Sequence, residues 1–212
     1  MTTRKYGVDV ASYQSTDMAA YHKAGASFAI VKLTEGTGYV NPKDTKQISS
    51  SRDNHMYTHA YHFANFGNSV EQAKKEAAYF IREAEKVNIS KKRILWLDWE
   101  NSRNNKVTGS SSSNTTAIMT FMNAIKKAGW RPGLYSGADL LRHSIDTKAI
   151  VKNFGACLWV ASYPTSEPVG AADFRYFPSM EGVAVWQFTN DWKGLNVDGN
   201  ITVVDLNTKD SD

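Results

Sequence analysis

The acidic pair in Asp98-Trp99-Glu100 closes an apolar run, Ile94-Leu95-Trp96-Leu97, and concentrates the potential chemistry of this sequence. In a strand, residues two apart point to the same face, so both carboxylates would enter one cavity with Cα atoms ~6.5–7 Å apart. Strand carboxylates are ordinarily edge residues or members of ion pairs, but this run is too apolar for a solvent edge. Two carboxylates ending a buried strand suit acid/base catalysis. Glycoside hydrolysis needs such a pair: one protonated carboxyl for the leaving oxygen, and one ionised group to oppose the positive charge developing at the sugar carbon.

The elements that must position this pair alternate along the chain. Short runs rich in Val, Ile, Trp, Tyr and Phe predict strands at Tyr6–Val10, Phe28–Leu33, Thr58–Phe63, Ile94–Trp99, Gly133–Ser136, Leu158–Ser162, Val183–Phe188 and Thr202–Leu206. Helical spacing is clearest over Val70–Val87, with Ser69 as N-cap, and over Asn114–Ala128, with Gly129 placed to end it. Asp17–Lys23 and Pro42–Asn54 carry weaker helical patterns, and Gly109–Ser113 reads as a flexible loop. Beyond residue 163 the periodicity fades among Pro164, Pro168, Gly170 and Pro178. The expectation is an α/β fold: an irregular single-domain β/α barrel of eight strands whose last helices are reduced or missing, since 212 residues are few beside the ~250 of a full barrel.

Active sites of such barrels lie at the C-terminal ends of the strands. Those ends would gather Asp9, Glu35, Tyr61, Asp98, Glu100, Tyr135, Gln187 and Asp205, with Tyr39 and Trp186 close by. Crowded carboxylates repel and shift one another's pKa, a cost usually tolerated at functional sites. Tyr39, Tyr61, Tyr135 and Trp186 could either stack on sugar rings or simply pack, whereas Trp96 and Trp130 read as core. His59 and His62 are three apart on one predicted strand and face opposite ways, so they cannot share a metal there.

Composition narrows the remaining classes. With 42% hydrophobic and 22% charged residues the chain is globular, and its net charge of +4 is too mild for a nucleic-acid footprint. A single cysteine, Cys157, excludes an internal disulfide framework. No apolar stretch approaches the ~18 residues of a membrane span. The opening Met1-Thr2-Thr3-Arg4-Lys5-Tyr6 has no apolar signal core behind its charges.

The motifs Tyr6-Gly7-Val8-Asp9-Val10-Ala11-Ser12-Tyr13-Gln14, Val31-Lys32-Leu33-Thr34-Glu35-Gly36-Thr37, His59-Ala60-Tyr61-His62-Phe63, Leu97-Asp98-Trp99-Glu100, Leu134-Tyr135-Ser136 and Trp186-Gln187-Phe188 through Val204-Asp205-Leu206-Asn207 together resemble glycoside hydrolase family 25, the Chalaropsis-type muramidases common among phage endolysins. The resemblance covers residues 5–207 and leaves 208–212 as a polar tail, a possible linker stub. It implies hydrolysis of the β-1,4 bond between N-acetylmuramic acid and N-acetylglucosamine in peptidoglycan, without metal or cofactor. By the same resemblance Glu100 is the general acid and Asp98 orients the substrate's N-acetyl group. Asp9 and Asp205 form a supporting acidic pair, and Glu35, Tyr61, Tyr135 and Gln187 hold the sugar. Ala11 and Asn41 depart from the family's usual Ser and Asp. A chitinase-like hydrolase and a non-catalytic wall-binding module on the same scaffold are the competing readings. The expected setting is a monomer acting on the bacterial wall, made in the host cytoplasm as a phage lysin or secreted with its signal removed.

Overall fold

The computed structural model describes residues 4–206, so the predicted tail at 208–212 lies outside the described residues. Seven strands run parallel in the order of the chain: β1 (Tyr6–Val10), β2 (Ala26–Glu35), β4 (Tyr57–Phe63), β5 (Ile94–Asp98), β6 (Arg131–Gly137), β7 (Leu158–Ala161) and β8 (Val183–Thr189). An eighth, β9 (Asp198–Thr202), runs antiparallel between β8 and β1 and closes the barrel. The two-residue β3 (Tyr39–Val40) folds back on the end of β2.

Helices cover one side of the barrel and thin out on the other. They are α1 (Ala19–Lys23), α2 (Asp44–Asp53), α3 (Val70–Lys86), α4 (Ser111–Lys127), α5 (Ala138–His143) and α6 (Thr147–Phe154). After β7, among the described residues, the helical content is a single 3₁₀ turn, Phe174–Tyr176. The lean barrel expected from the chain length is therefore the one observed. Ser69 caps α3 by accepting from the Gln72 amide at 3.2 Å, and Gly129, at φ 94°, follows α4. Two local expectations change. The serine run is not a loop throughout, because Ser110 accepts from the Ser113 amide and starts α4 at Ser111. The last strand lies four residues earlier than predicted, over Asp198–Thr202 rather than Thr202–Leu206. Its alternation of polar Asp198, Asn200 and Thr202 with Gly199 and Ile201 suits a strand lining a polar interior.

Alternation along each strand divides the core in two. Outward residues such as Val8, Val31, Leu33, Leu97, Leu134 and Val160 pack beneath the helices. Inward residues Phe28, Ile30, Ile94, Trp96, Trp159 and Val185 fill the barrel below its mouth. Cys157 is buried, and burial pushes its thiol up to about 12, so it is chemically quiet. Trp96 fits the filling because Gly133, its neighbour across β5 and β6, carries no side chain: a Cβ there would overlap the indole. Substituting Gly133→Ala therefore forces the ring off its place. It is expected to cost about 1–3 kcal/mol in a denaturant titration.

Candidate active site

Each inward row ends at the barrel mouth in a polar or aromatic group. Gly7 leads to Asp9 on β1, Ile30 to Lys32 on β2, His59 to Tyr61 and Phe63 on β4, and Trp96 to Asp98 on β5. Gly133 leads to Tyr135 on β6, and Val185 to Gln187 on β8. With Glu100, Trp159 and Asp198 these residues line a cavity of about 240 Å³, and Gln14 and Tyr13 lie at its edge. Tyr13 is 89% exposed, an aromatic face free to meet a ligand.

Glu100 stands just past β5 on a braced segment. The Trp99 amide donates to the Tyr135 carbonyl at 3.0 Å, and the Ser136 hydroxyl donates to the Trp99 carbonyl at 2.7 Å. The Trp99 indole donates to the Gly67 carbonyl at 2.9 Å, while Asn105 holds the Glu100 carbonyl at 2.8 Å. Glu100 therefore follows a segment tied to the end of β6 and to the loop after β4. Asp98, beside it, is buried and its Oδ1 has no hydrogen-bond partner among the described residues. Opposite, Asp9 is held by Gln187 Nε2 at 2.8 Å and Asn200 Nδ2 at 2.7 Å, both on Oδ2, and hydrogen-bonds Asp198.

Burial raises all four carboxyls. Burial lifts Asp98 well above the ordinary carboxylate range, pushed next by Glu100 and opposed by Lys32. Glu100 is raised by burial and then by the charge of Asp9. Asp198 is pushed up to about 9, by burial and then by Asp9. Asp9 is raised by burial, against the lowering effect of its hydrogen bonds from Asn200 and Gln187. At neutral pH the cluster thus holds protons as well as charge, with Asp198 the natural acid and Asp9 the natural anion of their pair. Lys32 is the cation of the cavity; it pairs with Glu35 at 2.8 Å and lies 4.6 Å from the Phe63 ring centre.

Of the residues singled out in the sequence, Asp9, Tyr61, Asp98, Glu100, Tyr135 and Gln187 come together here. Glu35 and Tyr39 stand behind the lining, both against Lys32, whose Nζ is 5.3 Å from the Tyr39 ring centre. Two are elsewhere. Asp205 lies at the opposite end of the barrel beside Lys5, Tyr57, His59 and Leu206. Its place at the mouth is taken by Asp198, because the closing strand is antiparallel and brings its first residue, not its last, to the mouth. Trp186 points outward, fully buried between Phe174, Phe177 and Phe188, with its indole donating to the Ser162 carbonyl at 2.9 Å. It is core because its neighbour Gln187 takes the inward position.

Sequence reading also missed Lys32 and Asn200, though the row Phe28, Ile30, Lys32 carries a usable signal: a lysine ending an inward apolar series. His59 and His62 do face opposite ways. His59 accepts from the Ile94 amide at 2.9 Å, and burial depresses it to about 3. His62 bridges Thr34 at 2.8 Å and Glu76 at 2.9 Å, fully buried. Among the described residues no group of three or more His, Cys, Asp or Glu side chains could hold a metal.

A buried carboxyl whose folded pKa is raised binds more protons folded than unfolded. Its cost to stability is absent below pH ~4 and grows as pH rises towards the folded pKa. Asp98→Asn is therefore expected to raise Tm at pH 7 to 8 and to leave it nearly unchanged at pH 3.5. Thermal unfolding of the variant and native protein at the two pH values checks this.

The model of glycosyl hydrolases family 25 matches residues 8–196. A lysozyme of Lactococcus phage mv1 is 61% identical over 180 residues, covering 85% of this chain and 89% of that protein. A lysozyme of Streptococcus phage Cp-7 is 35% identical over 205 residues, 96% of this chain but 55% of the relative. Among solved structures, the Cpl-1 endolysin complexed with a peptidoglycan analogue superposes with a TM-score of 0.82 at 30% identity, over 97% of this chain and 56% of that one. The chain thus spans nearly the whole of one phage lysozyme and about half the length of the other two proteins. On a match of this extent, the chain belongs to glycosyl hydrolases family 25.

Proposed function

We propose that this chain is a lysozyme of the muramidase type, hydrolysing the β-1,4 bond between N-acetylmuramic acid and N-acetylglucosamine in bacterial peptidoglycan. The observation that carries the reading is the carboxylate pair at the end of β5: Glu100, raised and braced, beside a buried Asp98 whose Oδ1 is unpartnered. Glu100 donates its proton to the leaving glycosidic oxygen. Asp98 Oδ1 accepts the N–H of the substrate's acetamido group and turns its carbonyl oxygen towards the anomeric carbon.

Bond cleavage then proceeds with the acetamido oxygen as internal nucleophile. Water, deprotonated by Glu100 in the second step, opens the resulting ring and restores the original anomeric configuration. A direct retaining mechanism needs a second carboxylate across the sugar, at about 5–5.5 Å from the acid. Asp98 and Glu100 rise from one strand end on the same side, which disfavours that arrangement. Asp9 faces them, but its Oδ2 is already occupied by two amide donors. Its charge opposes the positive charge developing on the sugar. Tyr13 and Tyr135 offer ring faces to neighbouring sugars, and the wall polymer is the partner expected of a monomeric enzyme.

Three outcomes are expected. Digested peptidoglycan, reduced with borohydride, yields muramitol from the native protein, whereas Glu100→Gln lowers the rate by ~10²–10⁴; glucosaminitol instead would move the bond specificity. An early NMR time course shows the retained anomer first, and an inverted product would overturn the acetamido route. Asp198→Asn lowers the same rate at least tenfold, while Asp205→Asn, at the far end of the barrel, stays within about twofold of native at 25 °C. The reverse ranking would return the supporting acidic role to Asp205.

A further inference from the structure

The Gln187 amide makes four hydrogen bonds within the protein. Its Oε1 accepts from the Tyr135 hydroxyl at 2.9 Å and from the Tyr163 hydroxyl at 2.6 Å. Its Nε2 donates to Asp9 Oδ2 at 2.8 Å and, more weakly, towards Asp198 Oδ2 at 3.4 Å. The amide is fixed from both sides. Two phenol donors demand an oxygen on one side, and an ionised carboxylate, which can only accept, demands N–H on the other. Asn200 adds a second N–H to the same Asp9 oxygen at 2.7 Å. Gln187 is buried, so this arrangement competes little with water.

We infer that Gln187 is a positioning residue that holds Asp9 as the anion of the Asp9–Asp198 pair, and through that fixed charge keeps Glu100 protonated as the acid. The inference rests on the muramidase reading, since it concerns how that acid is maintained. Charged and titratable groups reach the same space from every side of the mouth. Asp98 lies on β5, Lys32 with its partner Glu35 on β2, and Asp198 on β9; the phenols of Tyr61, Tyr135 and Tyr163 come from β4, β6 and the segment after β7. Lys32 acts against protonation of Glu100, and the charge of Asp9 acts for it. A displaced or protonated Asp9 leaves burial alone to oppose Lys32. Tyr135 and Tyr163 thereby act on the acid at one remove, by aiming the amide.

The test is the pH dependence of kcat/KM on soluble peptidoglycan fragments for the native protein, Gln187→Leu and Gln187→Glu. In Gln187→Leu the alkaline limb moves to lower pH by about one unit, beyond any loss of rate. Gln187→Glu separates charge from packing. Protonated, its carboxyl still offers an O–H to Asp9 and a carbonyl to the tyrosines, so activity survives on the acid side. As it ionises, the second anion beside Asp9 also favours protonated Glu100, so the alkaline limb moves to higher pH, opposite to Gln187→Leu. Uniform losses across pH, with the alkaline limb in its native place, would overturn the inference and leave Gln187 a packing residue.

Should Gln187→Leu fail to fold, Tyr163→Phe, at a half-exposed position, is expected to shift the limb the same way by less. An unshifted limb there would count against the inference. Carboxyl ¹³C shifts of the labelled native protein and variants follow Asp9 and Glu100 without substrate. Glu100 titrating lower in Gln187→Leu supports the inference even if the protein cleaves a different bond. An inactive native protein whose carboxyls respond in this way would sink the muramidase reading alone.

Discussion

Concentrating carboxyls in one desolvated cavity is the constraint around which this barrel is built. Asp9, Asp98, Glu100 and Asp198 line about 240 Å³ with Lys32, itself paired to Glu35, as their cation. Left alone, such groups would repel or draw in water. The fold answers by bonding them unequally. Asp9 receives two amide N–H groups and a neighbouring carboxyl, whereas Asp98 Oδ1 receives nothing among the described residues. Inequality among chemically similar groups gives them different protonation states and different free hydrogen-bonding capacity.

That inequality needs rigid supports, and these come from below. Phe28, Ile30, Trp96, Trp159 and Val185 fill the barrel, so the mouth residues stand on packed rings and branched side chains rather than on water. Gly133 admits the Trp96 ring between strands. Trp159 supports Tyr135 with ring centres 4.5 Å apart, and Tyr135 in turn aims Gln187. A hydrophobic contact in the floor is thereby joined through two side chains to the charge state of the mouth.

Much of this was legible in the sequence, and each failure has a physical origin. Seven parallel strands announce themselves as apolar runs, and the residues at their C-terminal ends, Asp9, Tyr61, Asp98, Tyr135 and Gln187, line the mouth with Glu100 just beyond. Strand direction, however, leaves no mark on hydrophobic periodicity. A reader assuming a parallel closing strand looks for its carboxylate at the end and finds Asp205, while the antiparallel β9 presents Asp198 at its start. Trp186 failed differently: period-2 alternation puts either Trp186 or Gln187 inside, and only burial of the first beneath Phe174 and Phe177 decides which. The helices α5 and α6 escaped notice because they are short and share one β/α connection.

The antiparallel closure has a consequence in time as well as in space. Asp9 meets Gln187 across 178 residues of chain and Asn200 across 191, so the acidic pair joins the two most distant parts of the barrel. Contacts of such separation come late in folding, after local helices and neighbouring strands have formed. During synthesis, Asp98 and Glu100 leave the ribosome with β5 while the strand that completes their surroundings is still about a hundred residues away; at ~5–20 residues per second that is a delay of roughly 5–20 s. A nascent chain therefore carries Asp9, Asp98 and Glu100 long before Gln187 and Asn200 arrive to hold Asp9 in place.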